Sequence, residues 1–295
     1  MKSTQPTLPQ TIARYYQLGK KPVPYETTNS TEALATLYLM NKYKIYDPEF
    51  DDICDEYRKG VVAPELHGWD LCLHYNAKNK LIKTNKDSYY SMFYWKLRNI
   101  IELNPGKKVA CLFNIAFIMH DGTTEGHSEI VLYDPALNIL QHIDSNNMPK
   151  QCSRQDPTYF NCCEIVDEIL QMVVAALPTT PTYINNESIY SRYEWGIQSM
   201  EASSDHHTKS EKEGYCLMWA ILFGDLLMAF PEYSGREVVE IMKKKAKSKS
   251  VKTDFENDYM LTLIRGYVAS ISKELDVAFD DDLSKHQACA RLVQR

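Results

Sequence analysis

The chain has 295 residues, of which 44% are apolar and 24% charged, and a formal net charge of −6. That balance supports a sizeable core without a metal or disulfide staple, in one large domain or one domain with a smaller N-terminal part. It excludes a generally basic nucleic-acid-binding surface.

Taken in chain order, residues 1–30 are rich in Pro, Thr, Gln and Ser, which predicts a flexible N-terminus. The opening MKSTQPTLPQ has no apolar core of a secretory signal. TEALATLYLMNKYKI, from Thr31, places Leu34, Leu37, Tyr38 and Ile45 on one helical face, with Ser30 or Thr31 as cap. Residues 60–86 mix short strand-like pieces such as DLCLHY with turns, the loop NAKNK among them. SYYSMFYWKLRNIIEL (88–103) predicts an aromatic helix stopped by Asn104-Pro105-Gly106.

The strongest β signal follows. KVACLFNIAFIM (108–119) is an apolar strand, HDGTTEG (120–126) a loop, and SEIVLYD and NILQHID are the arms of a hairpin. FNCCEIVDEILQMVVAAL (160–177) predicts a helix ended by Pro178. TYINNESIY and RYEWGIQSM read as strand material, and 202–214 as a polar loop. CLMWAILFGDLLMAF (216–230) is an apolar helix ended by Pro231; it is too short for a bilayer and carries Asp225. Two more helices are expected near 235–247 and 255–275. KKKAKSKSVK (243–252) reads as a solvated interhelical loop rather than a nucleic-acid site. Helices, then strands, then helices predict an α+β fold. The implied division is a flexible 1–30, a helical accessory region 31–104, a main domain 105–280 and a C-terminal tail 281–295. With neither signal nor span, the expected location is cytoplasmic or nuclear, with no membrane partner.

The eight cysteines form no CxxC pair, and Cys162-Cys163 and His206-His207 are adjacent rather than ligand-spaced. Free thiols and no metal are therefore expected. The hairpin begins at His127 and ends at Asp144. Asp134-Pro135 opens a type I turn; centring it on Pro135-Ala136 sets His127 opposite Asp144, within reach of an ion pair. A bulge would bring Ser145 opposite instead, or separate the pair. An aspartate beside an imidazole holds its tautomer and stabilises its charged form. Cys216 opens the apolar helix, whose N-terminus carries partial positive charge and free N–H groups that favour a thiolate and an oxyanion. Strand-end histidines and small buried cysteines are common on their own account; the case lies in the combination.

In that order, His127, Asp144 and Cys216 resemble clan CE cysteine peptidases, the group of ubiquitin-like-protein (SUMO) proteases and the adenovirus protease. KKVACLFNIAFIM is similar to the strand before the histidine, HSEIVLYDPALNILQHIDS to the His-to-Asp hairpin, WGIQSM to the segment supplying a glutamine, and GYCLMWA to the cysteine helix. Together they cover roughly 105–230, and the Gly-Tyr-Cys and Trp of the last resemble a branch found in large DNA viruses. Three features depart from the pattern: Ser128 replaces the usual Trp, Tyr215-Cys216-Leu217 replaces Asp-Cys-Gly, and Gln198 lies unusually far before Cys216.

The resemblance implies a papain-like fold with a central mixed or antiparallel sheet flanked by helices. It implies a protease or isopeptidase that needs no cofactor, with Cys216 as nucleophile, His127 as acid and base, Asp144 as orienting group and Gln198 as oxyanion donor. Trp195 and Trp219 become candidates for walls of a narrow substrate channel. The implied partner is ubiquitin or a ubiquitin-like protein cleaved after a Gly-Gly junction, or a viral precursor protein. An acetyltransferase of the same clan and a catalytically silent binding protein on this fold remain open at this point. Residues 1–60 are expected to serve as a substrate exosite.

Overall fold

The computed structural model describes residues 6–46, 51–59, 71–76, 81–83, 86–118, 124–146, 157–190, 196–202, 215–247 and 253–294. Strands β1 (Leu71–Asn76), β2 (Leu81–Lys83), β3 (Val109–Ile118), β4 (Thr124–Asp134), β5 (Ile139–Ile143) and β6 (Thr182–Ile184) form one sheet in the order β2-β1-β3-β4-β5-β6. β1 with β3 and β5 with β6 are parallel; the other pairs are antiparallel. The architecture is a mixed α+β fold, as the order of elements predicts.

Successive strand residues point to opposite faces, and both faces of β3 and β4 are apolar. Val109, Cys111, Phe113 and Ile115 of β3, with Val131 and Tyr133 of β4, share a core with α4 (Lys86–Leu103) and α5 (Pro157–Ala176). Leu112, Ile130, Leu132 and Ile143 belong to a second core centred on α7 (Cys216–Ala229). Helices on both sides explain why these strands read as continuous apolar runs.

α7 is buried from Leu217 to Leu227, because it packs against the sheet on one side and helices on the others. Those helices are α2 (Asn29–Tyr43), α8 (Gly235–Lys247) and α9 (Thr253–Leu275). Asp225 is tolerated inside it because Lys42 approaches to 2.8 Å and the Tyr43 and Tyr267 hydroxyls donate to its carboxylate. A buried charge without such partners would cost several kcal/mol.

Five expectations are corrected. The expectation of a flexible 1–30 does not hold from Thr7 on: α1 (Leu8–Leu18) is helical, buries Leu8, Ile12 and Tyr15, and packs along α9, while 1–5 lie outside the described residues. Its Thr7–Gln10 capping box is visible in the sequence but outweighed there by the Pro- and Gln-rich composition. The 281–295 tail is instead α10 (Asp282–Val293), which packs on α3 (Asp51–Arg58), buries Ala288, Cys289 and Leu292 and inserts Lys285 between Thr28, Thr31 and the Glu26 carbonyl. Residues 31–104 are not an accessory region apart: α2 shares the α7 core and α4 covers the sheet. Lys243–Lys247 continue α8 rather than a loop, with Ala246 buried; 248–252 lie outside the described residues. The described end of RYEWGIQSM is not a strand, since Ile197–Ala202 form α6; its residues 192–195 lie outside the described residues. No helix among the described residues is long and apolar enough to cross a membrane.

Candidate active site

The hairpin that carries His127 and Asp144 is present, but its turn is longer than Asp134-Pro135 implies. Residues 135–138 form the turn, closed by Asn138 in the left-handed region at φ 50°, and the Asp134 carboxylate accepts from the Ala136 and Leu137 amides. Pairing runs from Asp134↔Ile139 to Ile130↔Ile143. The expected His127–Asp144 opposition is thus two residues out of register. Because side chains alternate with period two, a two-residue shift keeps both on one face. They meet diagonally, just beyond the last ladder pair.

His127 Nε2 lies 2.8 Å from Asp144 Oδ1, and both residues are buried. Asp144 is held from two further directions: its backbone amide donates to Asn186 Oδ1 at 3.0 Å, and the Asn146 amide donates to Oδ1 at 2.8 Å. The Cys216 thiol lies close enough to the same imidazole to raise its proton affinity. Burial pulls the His127 pKa down, but the charge and hydrogen bond of Asp144, with the Cys216 sulfur, outweigh it and hold the ring well above its ordinary value. Burial likewise opposes ionisation of Asp144, and His127 overcomes it, keeping that carboxyl below its ordinary range. Cys216 is the first residue of α7 and half-buried, whereas the other free cysteines with described side chains, Cys54, Cys111 and Cys289, are buried. The Tyr215 side chain, at the N-cap position of α7, makes no capping hydrogen bond to the first turn.

Gln198 stands on the short helix α6, brought to the hairpin end by tight backbone contact. A Cβ on Gly196 would lie 2.2 Å from the Ser145 carbonyl oxygen, so only glycine permits this approach. The Gln198 amide donates to that carbonyl at 3.0 Å, and the Ser145 hydroxyl donates to Gln198 Oε1 at 2.8 Å. The Gln198 side-chain NH₂ is the donor this arrangement leaves over. Gln198 therefore sits one residue from Asp144 in space despite its distance from Cys216 in sequence.

Trp219 is not a channel wall. It is fully buried one turn into α7, with its indole N–H directed at Glu201 at 3.4 Å; the apolar surroundings of α7 on every side make it a core residue. Trp195 lies outside the described residues. Ser128, in place of the pattern's Trp, is buried and donates to Asn114 Oδ1, whose amide in turn donates to Glu32.

The sequence reading missed a second buried cluster on the same face. Glu129 and His142 stand two residues from His127 and Asp144 respectively, so the period that groups the first pair groups the second. His142 Nε2 is 2.6 Å from Glu129 Oε2 and its Nδ1 is 3.1 Å from Asp167 Oδ1 on α5. Tyr183 of β6 also donates to Asp167. Burial lowers the His142 pKa, yet Glu129 and Asp167 together drive it up to about 10. The signal lay in Glu129, a charge among the apolar residues of SEIVLYD.

Ligand atoms of His127, Glu129 and Asp144 lie within 4.8 Å of one another, a spacing a metal ion would accept. They are already joined in donor–acceptor pairs, His127 to Asp144 and His142 to Glu129. The chemistry of the set is that of a hydrogen-bonded ion cluster rather than of converging free ligands.

Compared with family models, curated proteins and solved structures, the chain finds no match.

Proposed function

We propose that the protein is a cysteine peptidase or isopeptidase with a papain-like fold of the clan CE type. The observation that carries the reading is one imidazole, His127, hydrogen-bonded to a buried carboxylate and within electrostatic reach of the half-open thiol that begins a buried helix. A sequence separation of 89 residues between His127 and Cys216 makes that convergence hard to ascribe to local packing.

In this reading the Cys216 sulfur, with its proton taken by His127, attacks the amide carbonyl. Charge develops on the carbonyl oxygen and is met by the backbone amide at the start of α7, with the Gln198 NH₂ as second donor. The carbonyl re-forms as the C–N bond breaks, and the His127 imidazolium gives its proton to the leaving amine. The enzyme is left as a thioester. Water, deprotonated by His127, attacks it and frees the acid and the thiol. Asp144 keeps its proton off throughout; it holds the ring and stabilises its positive state. Every group needed is a side chain or amide of the chain itself.

The substrate side of the reading comes from the resemblance: a Gly-Gly junction of ubiquitin or a ubiquitin-like protein, or a viral precursor protein. Warhead probes built on ubiquitin, SUMO and related modifiers test it. Wild type should be labelled by at least one, and Cys216→Ala by none. Labelling that persists in Cys216→Ala would overturn the assignment of the nucleophile. Transfer of acetyl from acetyl-CoA without labelling by any member of the panel would replace hydrolysis with acyl transfer.

A further inference from the structure

Glu129 raises a question that the triad does not answer. Its Oε1 lies 3.9 Å from His127 Nε2, the nitrogen that Asp144 occupies, and its side chain is nearly inaccessible to solvent. Left alone, a second buried carboxylate there would compete with Asp144 for the same N–H. It does not, because its other oxygen is drawn to His142 Nε2 at 2.6 Å.

His142 can draw it for a geometric reason. Both of its ring nitrogens face carboxylates, Glu129 on one side and Asp167 on the other. Carboxylates only accept, so both nitrogens must donate, and a ring with two N–H groups is an imidazolium. Asp167 is in turn fixed by the Tyr183 hydroxyl. Among the described residues, the charged and titratable groups around Glu129 include His127 of β4, His142 of β5, Asp144 beyond it, Asp167 of α5, Tyr183 of β6 and Lys96 of α4, whose Nζ lies 5.3 Å from the ring of Phe113, the cross-strand neighbour of Glu129.

We propose that Glu129 and His142 are positioning residues: a buried cation–anion pair, tied down by Asp167, that keeps a second carboxylate off the acid–base histidine and leaves Asp144 as the carboxylate hydrogen-bonded to it. The assignment rests on the peptidase reading for what His127 does, but the electrostatic coupling exists whatever the chemistry. The pair sets both the aim and the proton affinity of the ring. Unit charges about 4 Å apart near a protein surface interact by much more than the energy of a tenfold equilibrium change, so breaking the pair should move His127 by about one pH unit or more.

The two single substitutions should act in opposite directions. Glu129→Gln removes an anion beside His127 and leaves the His142 cation, so His127 should lose its proton at lower pH. His142→Gln frees Glu129 to turn to His127, so that ring should hold its proton to higher pH. The double substitution removes both charges and should fall back towards the unsubstituted midpoint. Histidine-selective ¹⁵N NMR titration in a Cys216→Ser background reads all three without any substrate or thiol chemistry. The same spectra need no further variant to test the core claim: His142 should show two protonated nitrogens across the neutral range.

A neutral, singly protonated His142 at pH 7 would overturn the proposal. So would single substitutions that shift His127 the same way or not at all while the amide spectrum stays folded. Should the modifier probes fail while these shifts appear, the peptidase reading falls and the coupling stands; the reverse result leaves the triad without its buttress.

Discussion

His127 illustrates how little freedom the central residues have. Its ring is fixed by Asp144 at 2.8 Å, Asp144 is fixed by Asn186 and the Asn146 amide, and Gln198 is fixed by Ser145. Asp144→Asn keeps the shape but removes the charge and presents an amide group to the ring. Probe labelling of Cys216 should slow by about a hundredfold or more, the scale of acid–base assistance, with little loss of folded protein; a wild-type rate would detach Asp144 from the mechanism. A second prediction concerns pH. His142 binds its proton more tightly folded than unfolded, so protonation favours the folded state. That contribution is fully present below about 6.5 and is lost as the pH rises towards about 10. Thermal midpoints should decline across that window, and the decline should flatten in His142→Gln.

Among the elements, α7 and the β4–β5 hairpin do the positioning, and glycines decide how closely others pack. α1 crosses α9 with almost no space between the backbones. A Cβ on Gly266 would lie 1.6 Å from the Tyr15 carbonyl oxygen, and one on Gly19 1.8 Å from that of Thr262. Both obstacles are backbone, which cannot rotate aside. Gly266→Ala should force the helices apart and cost about 3 kcal/mol or more, the upper range of overpacking. Chemical denaturation measures this, and increased proteolysis near residue 20 would locate it. An unchanged midpoint would mean that α1 does not hold to α9 in solution.

For the whole molecule, the packing of α1 and α2 changes what truncation should do. A substrate exosite in 1–60 would be removable without harm to the thiol. Instead Leu8, Ile12, Leu34 and Leu37 are buried in the same core as Leu217–Leu227, and Lys42 neutralises Asp225. Removing 1–60 would expose one side of α7 and leave a buried carboxylate without its cation, a loss of several kcal/mol from that pair alone. The shortened chain should be insoluble or should melt far below the full chain, with Cys216 labelling lost in parallel. A stable, fully labelled 61–295 fragment would restore the exosite reading.

The sequence by itself determined the alternation of helices and strands, the hairpin and the apolar helix behind Cys216. Each is a local pattern: period two in SEIVLYD and NILQHID, an unbroken apolar run in CLMWAILFGDLLMAF, and breakers at Pro178 and Pro231. Face-sharing of His127 with Asp144 was legible for the same reason, since parity survives a two-residue error in register. Tertiary structure alone decided the register itself, which depended on a four-residue turn with Asn138 left-handed. It alone converted the polar N-terminus and the tail into core helices and buried Trp219. It also drew Glu129, His142 and Asp167 from two strands and a helix into one charged cluster. These outcomes depend on which surfaces meet across the chain, and burial and charge pairing between distant segments leave no period in the sequence that carries them.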